Sequence, residues 1–236
     1  IPYCRSITTE LKIIKSQYIT IKTNDNKLRK ISTQDVFGSA FNINYYYSNL
    51  YLGEKKKKQG YILDTGSSIT TSTCEQLCEE CGNHINPHHK IKNLKNILSC
   101  GSKRCELLSS QCNLTKNDKC TFSISYTEGS SLTGVYIDEL VRFGKNYKNQ
   151  KGIYIPIGCT QKETHLFLKQ EADGIMGLSN TERNFVDILY KFDAIDKRMF
   201  GMWFGQLGGY FTIGEINNKY HLEKMKFVEM KNKNDR

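Results

Sequence analysis

The sequence predicts a mostly β fold, and three observations carry that prediction. Apolar and polar residues alternate over short runs such as Tyr18-Ile-Thr-Ile-Lys22 and Thr121-Phe-Ser-Ile-Ser-Tyr126. Glycine and serine punctuate the chain between those runs, and neither a heptad pattern nor a fixed-period repeat is present. With 236 residues, 38% of them hydrophobic and 11% aromatic, the chain can bury a real core.

Taken in order, residues 1–36 read as an N-terminal extension with short strands at Leu11-Lys-Ile-Ile14 and Tyr18–Lys22. Residues 37–217 read as the main β unit. It opens with a hairpin in which Phe41-Asn-Ile-Asn-Tyr-Tyr-Tyr47 and Leu50-Tyr-Leu52 lead to a lysine-rich tip, Glu54-Lys-Lys-Lys-Lys-Gln-Gly60. Tyr61-Ile-Leu63 returns from the tip into Asp64, so an acid sits where a buried strand stops. Residues 74–120 are polar and rich in cysteine, which predicts a stapled insertion. Regular structure resumes at Thr121–Tyr126, turns at Thr127-Glu-Gly-Ser-Ser131 and returns through Leu132-Thr-Gly-Val-Tyr-Ile137. Ile153-Tyr-Ile-Pro-Ile157 predicts a strand, and Gly174-Ile-Met-Gly-Leu178 is an apolar run bounded by glycines. Phe185, Ile188, Leu189 and Phe192 share one face at helical spacing. Strands around Met202-Trp-Phe204, Tyr210-Phe-Thr-Ile213 and Met225-Lys-Phe-Val228 complete the chain, with residues 218–236 lying beyond the main unit.

The net charge of +10 permits an anionic partner. Its lysines, however, fall at a hairpin tip or among asparagines in loops, as in Lys145-Asn-Tyr-Lys-Asn-Gln-Lys151, so no nucleic-acid partner is expected. No apolar run approaches the roughly 18 residues that span a membrane. Nine cysteines, seven of them between Cys74 and Cys120, imply an oxidising compartment or a metal. The sequon Asn113-Leu-Thr115 is a candidate glycosylation site and agrees with a secretory or extracellular location. A signal segment would then have been removed before Ile1.

Two site chemistries compete. Asp64-Thr-Gly-Ser67 could be an Asx-turn or a helix cap, or a reactive carboxylate. Cys74, Cys78, Cys81 and His84, with His88 and His89 nearby, could surround a tetrahedral zinc. The neighbouring cysteines do not repeat a paired finger spacing, so neither a metal nor another cofactor is expected.

Four segments in this order resemble the N-terminal lobe of the pepsin-like aspartic proteases. They are Tyr61-Ile-Leu-Asp-Thr-Gly-Ser-Ser68, the flap-like Tyr126-Thr-Glu-Gly-Ser130 with Leu132-Thr-Gly134, the segment Ala172-Asp-Gly-Ile-Met-Gly-Leu178, and Gly208-Gly-Tyr-Phe-Thr-Ile-Gly214. The spacing of Cys74, Cys78, Cys81, Cys100, Cys105, Cys112 and Cys120, with Gly158-Cys159 and His165-Leu-Phe-Leu168, is similar to the nepenthesin and plasmepsin V-like subgroup. The resemblance implies that these cysteines form disulfides within a pepsin-like lobe bearing one or two short helices. It also implies an aspartic endopeptidase acting on peptide or protein substrates.

By the same resemblance Asp64 is one of two carboxylates that share a proton, and Thr65, Gly66 and Ser67 form its loop. Ser67 would hydrogen-bond an outer oxygen of Asp64, and Thr65 would meet a counterpart from the other lobe. Tyr126, Glu128 and Gly129 belong to the flap, where the acid implies a preference for Arg or Lys near the scissile bond. The apolar segment 172–178 would pack beneath the loop.

The chain holds no second Asp-Thr/Ser-Gly loop, so the partner carboxylate is expected from a C-terminal lobe of the same precursor or from a partner chain. An inactive homologue, acting as a structural or peptide-binding subunit, is the alternative. No Trp is present at residues 69–73, where pepsin holds its flap tyrosine, so the flap must be held otherwise. Cys159 is expected to pair with Cys4 or outside the chain, and the odd count leaves at least one thiol over.

Overall fold

A computed structural model describes residues 32–39, 44–108, 112, 118–206, 208–216, 226 and 228. The expected segments Leu11–Ile14 and Tyr18–Lys22, Met225 and Phe227 of the last expected strand, the sequon at Asn113 and Cys4 lie outside the described residues. Ten strands form one sheet: β1 (Ser32–Ser39), β2 (Tyr45–Leu52), β3 (Lys57–Asp64), β4 (Thr71–Thr73), β5 (Thr121–Ser125), β6 (Ser131–Phe143), β7 (Ile153–Glu163), β8 (Gly174–Gly177), β9 (Phe200–Gly205) and β10 (Gly208–Ile213). Among the described residues two short α-helices accompany them, α1 (Lys103–Glu106) and α2 (Phe185–Lys191).

The sheet order is β5-β6-β7-β4-β8-β3-β2-β1-β10-β9, with β6 also pairing β2. That extra pairing, Leu50 opposite Phe143 and Leu52 opposite Val141, closes β6, β7, β4, β8, β3 and β2 into a ring. Closure removes two edges and encloses the core. Leu50, Leu52, Tyr61, Ile137, Ile155, Ile157 and Met176 are all buried within it. Each such side chain contributes about 1.5–3 kcal/mol by leaving water. β1, β10 and β9 continue the sheet outward from β2 as antiparallel neighbours.

Within the described residues, the strands expected between Tyr45 and Ile213 are present, with shifted ends. The lysine tip is shorter than expected: the turn occupies Gly53 to Lys56, and Lys57 already pairs with Leu52. β7 runs past Pro156 to Glu163, because the missing amide of that proline faces the neighbour only before β4 begins pairing at Gly158. α2 buries Phe185, Ile188 and Leu189, and Phe192 at its C-cap packs on the same core. The Asn184 side chain accepts from Asp187 N–H and starts the helix.

The cysteines correct one expectation. Cys159 pairs with Cys74, neither with Cys4 nor outside the chain. β4 and β7 run parallel with Ser72 opposite Cys159, so the next residues of β4 arrive beside that thiol, with Cα atoms 5.5 Å apart. The other pairs are Cys78–Cys81, Cys100–Cys112 and Cys105–Cys120. Cys74, Cys78 and Cys81 are therefore committed to sulfur, and the thiolate ligands of the zinc alternative do not exist.

Candidate active site

β3 delivers Asp64 to one end of the ring, where its parallel neighbour β8 places Gly177 opposite it. The loop after β3 is clasped from below by the segment after β8. Leu178 N–H donates to the Asp64 carbonyl at 2.7 Å, Ser179 N–H to the Ser67 carbonyl at 2.9 Å, and Gly177 N–H to the Ile69 carbonyl at 3.1 Å. Glycine is required for this approach. A Cβ on Gly174 would stand 2.0 Å from the Thr71 carbonyl oxygen, and one on Gly177 would stand 2.4 Å from Ile69 N. The apolar run thus lies beneath the loop, as the resemblance implied.

The Asp64 carboxylate is half-buried and accepts two hydrogen bonds. Gly66 N–H donates to Oδ1 at 2.8 Å, and the Tyr126 hydroxyl donates to Oδ2 at 2.6 Å. Both hold the carboxylate in a fixed orientation. Burial pushes the Tyr126 phenol above its ordinary range, and its bond to Asp64 adds to the rise, while the nearby Ser67 hydroxyl opposes it. Ser67 is buried, but its hydroxyl makes no hydrogen bond within normal geometry, so the implied bond to Asp64 is not formed here. Thr65 and Gly66 are exposed at the loop's crest.

The flap turns at Tyr126 to Ser130, with Tyr126 N–H donating to the Ser130 carbonyl and Gly129 N–H to the Tyr126 carbonyl. Gly129 takes φ +96°, a conformation that favours glycine. Glu128 is exposed on its rim. Beneath the flap an open cleft of about 570 Å³ is lined by Asp64, Tyr126, Glu128, Tyr45, Ile62, Leu166, Phe167, Lys169 and Glu171, among others. The Phe167 ring meets Tyr126 edge-on at 5.4 Å. The flap tyrosine is therefore held by Asp64 and Phe167 in the absence of a tryptophan at residues 69–73.

The cleft's second wall, residues 166–171, was not identified as part of the site from sequence. Its His165–Leu168 turn shows no helical or strand periodicity, and only the fold brings it under the flap. The cysteine insertion braces this wall. His84 bonds the Gln170 carbonyl at 3.0 Å through Nδ1 and Glu163 at 3.1 Å through Nε2. Ile85 N–H donates to the Glu171 carbonyl at 2.7 Å. Asp173, fully buried, accepts from Gly60 N–H, Asn86 N–H and the Asn86 amide. Burial raises the Asp173 pKa, and those three bonds and His84 restrain the rise.

Comparison with known proteins agrees with this architecture. A family model described as "Xylanase inhibitor N-terminal" matches residues 46–215. Plasmepsin V of Plasmodium falciparum is 31% identical over 208 residues, which cover 85% of this chain and 34% of that protein. Aspartic protease 5 of Toxoplasma gondii is 28% identical over 204 residues, covering 79% of this chain and 21% of that protein. The chain thus spans between about a fifth and a third of these relatives. The aspartic proteinase from Irpex lacteus superposes with a TM-score of 0.54 at 14% identity, over 82% of this chain and 51% of that one. Together with an Asp-Thr-Gly loop clasped from below and covered by a tyrosine flap, these matches establish that the chain belongs to the pepsin-like aspartic protease family and corresponds to its N-terminal lobe.

Proposed function

We propose that the chain is the N-terminal catalytic lobe of an aspartic endopeptidase. The observation that carries this reading is Asp64, placed at the floor of an open cleft with the flap hydroxyl 2.6 Å above it. In the proposed reaction a second aspartate, from a C-terminal lobe of the same precursor or from a partner chain, faces Asp64. Two carboxylates about 3 Å apart cannot both ionise, so they share one proton. One accepts a proton from water as it attacks the peptide carbon, and the other donates to the carbonyl oxygen. Gly66 N–H orients the Asp64 carboxylate, and Tyr126 closes over the substrate. Glu128, on the flap rim, would favour a basic side chain near the scissile bond.

Four disulfides fit an oxidising compartment, which supports a secretory-lumen or extracellular location. A second reading, an inactive homologue that binds peptides or serves as a subunit, is favoured by two observations. The matching family model is described by the name of an inhibitor. Tyr126 also bonds the Asp64 oxygen directly, where an attacking water would need room. A peptide carrying a hydroxyl-bearing isostere of the tetrahedral intermediate separates the two when titrated into the full-length protein. The enzyme reading expects tight binding that Asp64→Asn abolishes. Binding unchanged by Asp64→Asn, or a complete gene product with no second Asp-Thr/Ser-Gly loop, supports the subunit.

A further inference from the structure

The lysines that look scattered in sequence converge in the fold. The hairpin between β2 and β3 presents exposed Lys55, Lys57 and Lys58, and Lys56 Nζ donates to the Lys148 carbonyl at 2.5 Å across 92 positions. Arg142, buried, ties the same two loops together. Its Nη1 donates to the Gly53 carbonyl, Nε to Gln150 and Nη2 to Lys151, each at 2.9 Å. A third loop joins them through Lys92, which bonds Glu54 at 2.8 Å and brings exposed Lys95 to the same corner. Lys55, Lys57, Lys58, Lys95, Lys148 and Lys151 have no ion-pair partner among the described residues. Like charges gathered this way repel one another, and a surrounding anionic surface would relieve that cost.

The same corner exposes apolar groups. Leu94, between Lys92 and Lys95, is 54% exposed, and Tyr154, close enough to act on the Lys92 charge, is 46% exposed. An aliphatic side chain and an aromatic ring within a basic rim suit a bilayer interface, where the rim meets headgroup phosphates and the apolar groups enter the acyl boundary. A nucleic acid or a sulfated glycan would use the lysines and gain nothing from Leu94.

The corner also lies opposite the cleft. β3 carries Lys57 at one end and Asp64 at the other, about 23 Å away at roughly 3.3 Å per residue. β6 and β7 agree, since Leu132 opposite Glu163 lies at the flap end and Leu140 opposite Tyr154 near the basic end. We propose that this corner docks the protein peripherally on an anionic phospholipid membrane, with the cleft and flap facing away from the bilayer.

The test is sedimentation of the chain with vesicles of phosphatidylcholine alone or of phosphatidylcholine and phosphatidylserine in equal parts. Binding is expected only to the anionic vesicles and should weaken with salt. The triple variant Lys55→Gln, Lys57→Gln, Lys58→Gln should bind about 100-fold more weakly, at roughly 1 kcal/mol per lysine. Leu94→Ser should weaken vesicle binding while leaving retention on a heparin column unchanged. These positions are exposed, so the variants should keep the wild-type melting curve and disulfide content, which are measured alongside. Equal binding to neutral vesicles, unchanged binding of the triple variant, or retention on heparin without vesicle binding would overturn the proposal.

Discussion

The Tyr126 hydroxyl donates to Asp64 Oδ2 at 2.6 Å, so the flap and the carboxylate of this lobe are directly coupled. The contact has an electrostatic consequence. A phenolate beside an ionised carboxylate is doubly disfavoured, by burial and by like charge, which is why the phenol is raised. Asp64→Asn removes the charge but retains an acceptor, so the Tyr126 pKa should fall while remaining above the ordinary tyrosine value. A pH titration of ring-labelled tyrosine by NMR reads this directly. An unchanged Tyr126 titration in the variant would mean that the two groups are not in contact.

His84 ties the insertion to the cleft wall, and its pKa reports on that tie. Burial lowers it, but the hydrogen bond and charge of Glu163 outweigh burial, and the net shift is upward from 6.5. The folded state therefore binds the proton more tightly than the unfolded chain. The stabilisation is fully present below about pH 6.5 and is lost as pH rises through the folded value. Urea midpoints measured from pH 5 to pH 8.5 should fall across that window for the wild type. His84→Gln should flatten the dependence.

Gly174 lies where β8 pairs with β4, with no room for a side chain. Its Cβ would overlap the Thr71 carbonyl oxygen, a backbone atom that cannot swing aside. Gly174→Ala should cost about 3 kcal/mol or more, at the upper end of overpacking effects. Gly101→Ala meets no atom within 4 Å, though its φ of +77° carries a smaller strain. Denaturant midpoints of the two variants should rank in that order.

The disulfides should differ in worth according to the chain they enclose. Cys74–Cys159 closes 85 residues, whereas Cys78–Cys81 closes three. Loop-closure entropy predicts a loss of about 4.5 kcal/mol for the Cys74→Ala, Cys159→Ala pair, and a much smaller loss for Cys78→Ala, Cys81→Ala. Thermal melts of both double variants test the ranking.

Particular residues show how much of this was legible in the sequence. Tyr61, Ile62 and Leu63 before Asp64, and Gly174 to Leu178, are local apolar patterns, so the strand, its terminal acid and the segment beneath were readable. α2 was readable because Phe185, Ile188 and Leu189 repeat at helical spacing. The Cys74–Cys159 bond was not, because it depends on β4 and β7 becoming parallel neighbours across 85 positions. Ring closure through Leu50 and Phe143, and the placing of Leu166 and Phe167 under the flap, are likewise products of tertiary packing that no local period encodes. The lysine loops read singly as solvated surface, and tertiary contacts such as those of Arg142, Lys56–Lys148 and Lys92–Glu54 bring them together.

Asp64 is proposed as half of a catalytic pair. The most direct measurement is the rate of peptide cleavage by the full-length protein containing this lobe, compared with its Asp64→Asn variant on basic-residue-containing peptides near acidic and neutral pH. With Asp64 in that pair, the wild type cleaves and the variant loses roughly 10³-fold or more in kcat, with the fold intact. Equal cleavage by the two proteins would contradict it.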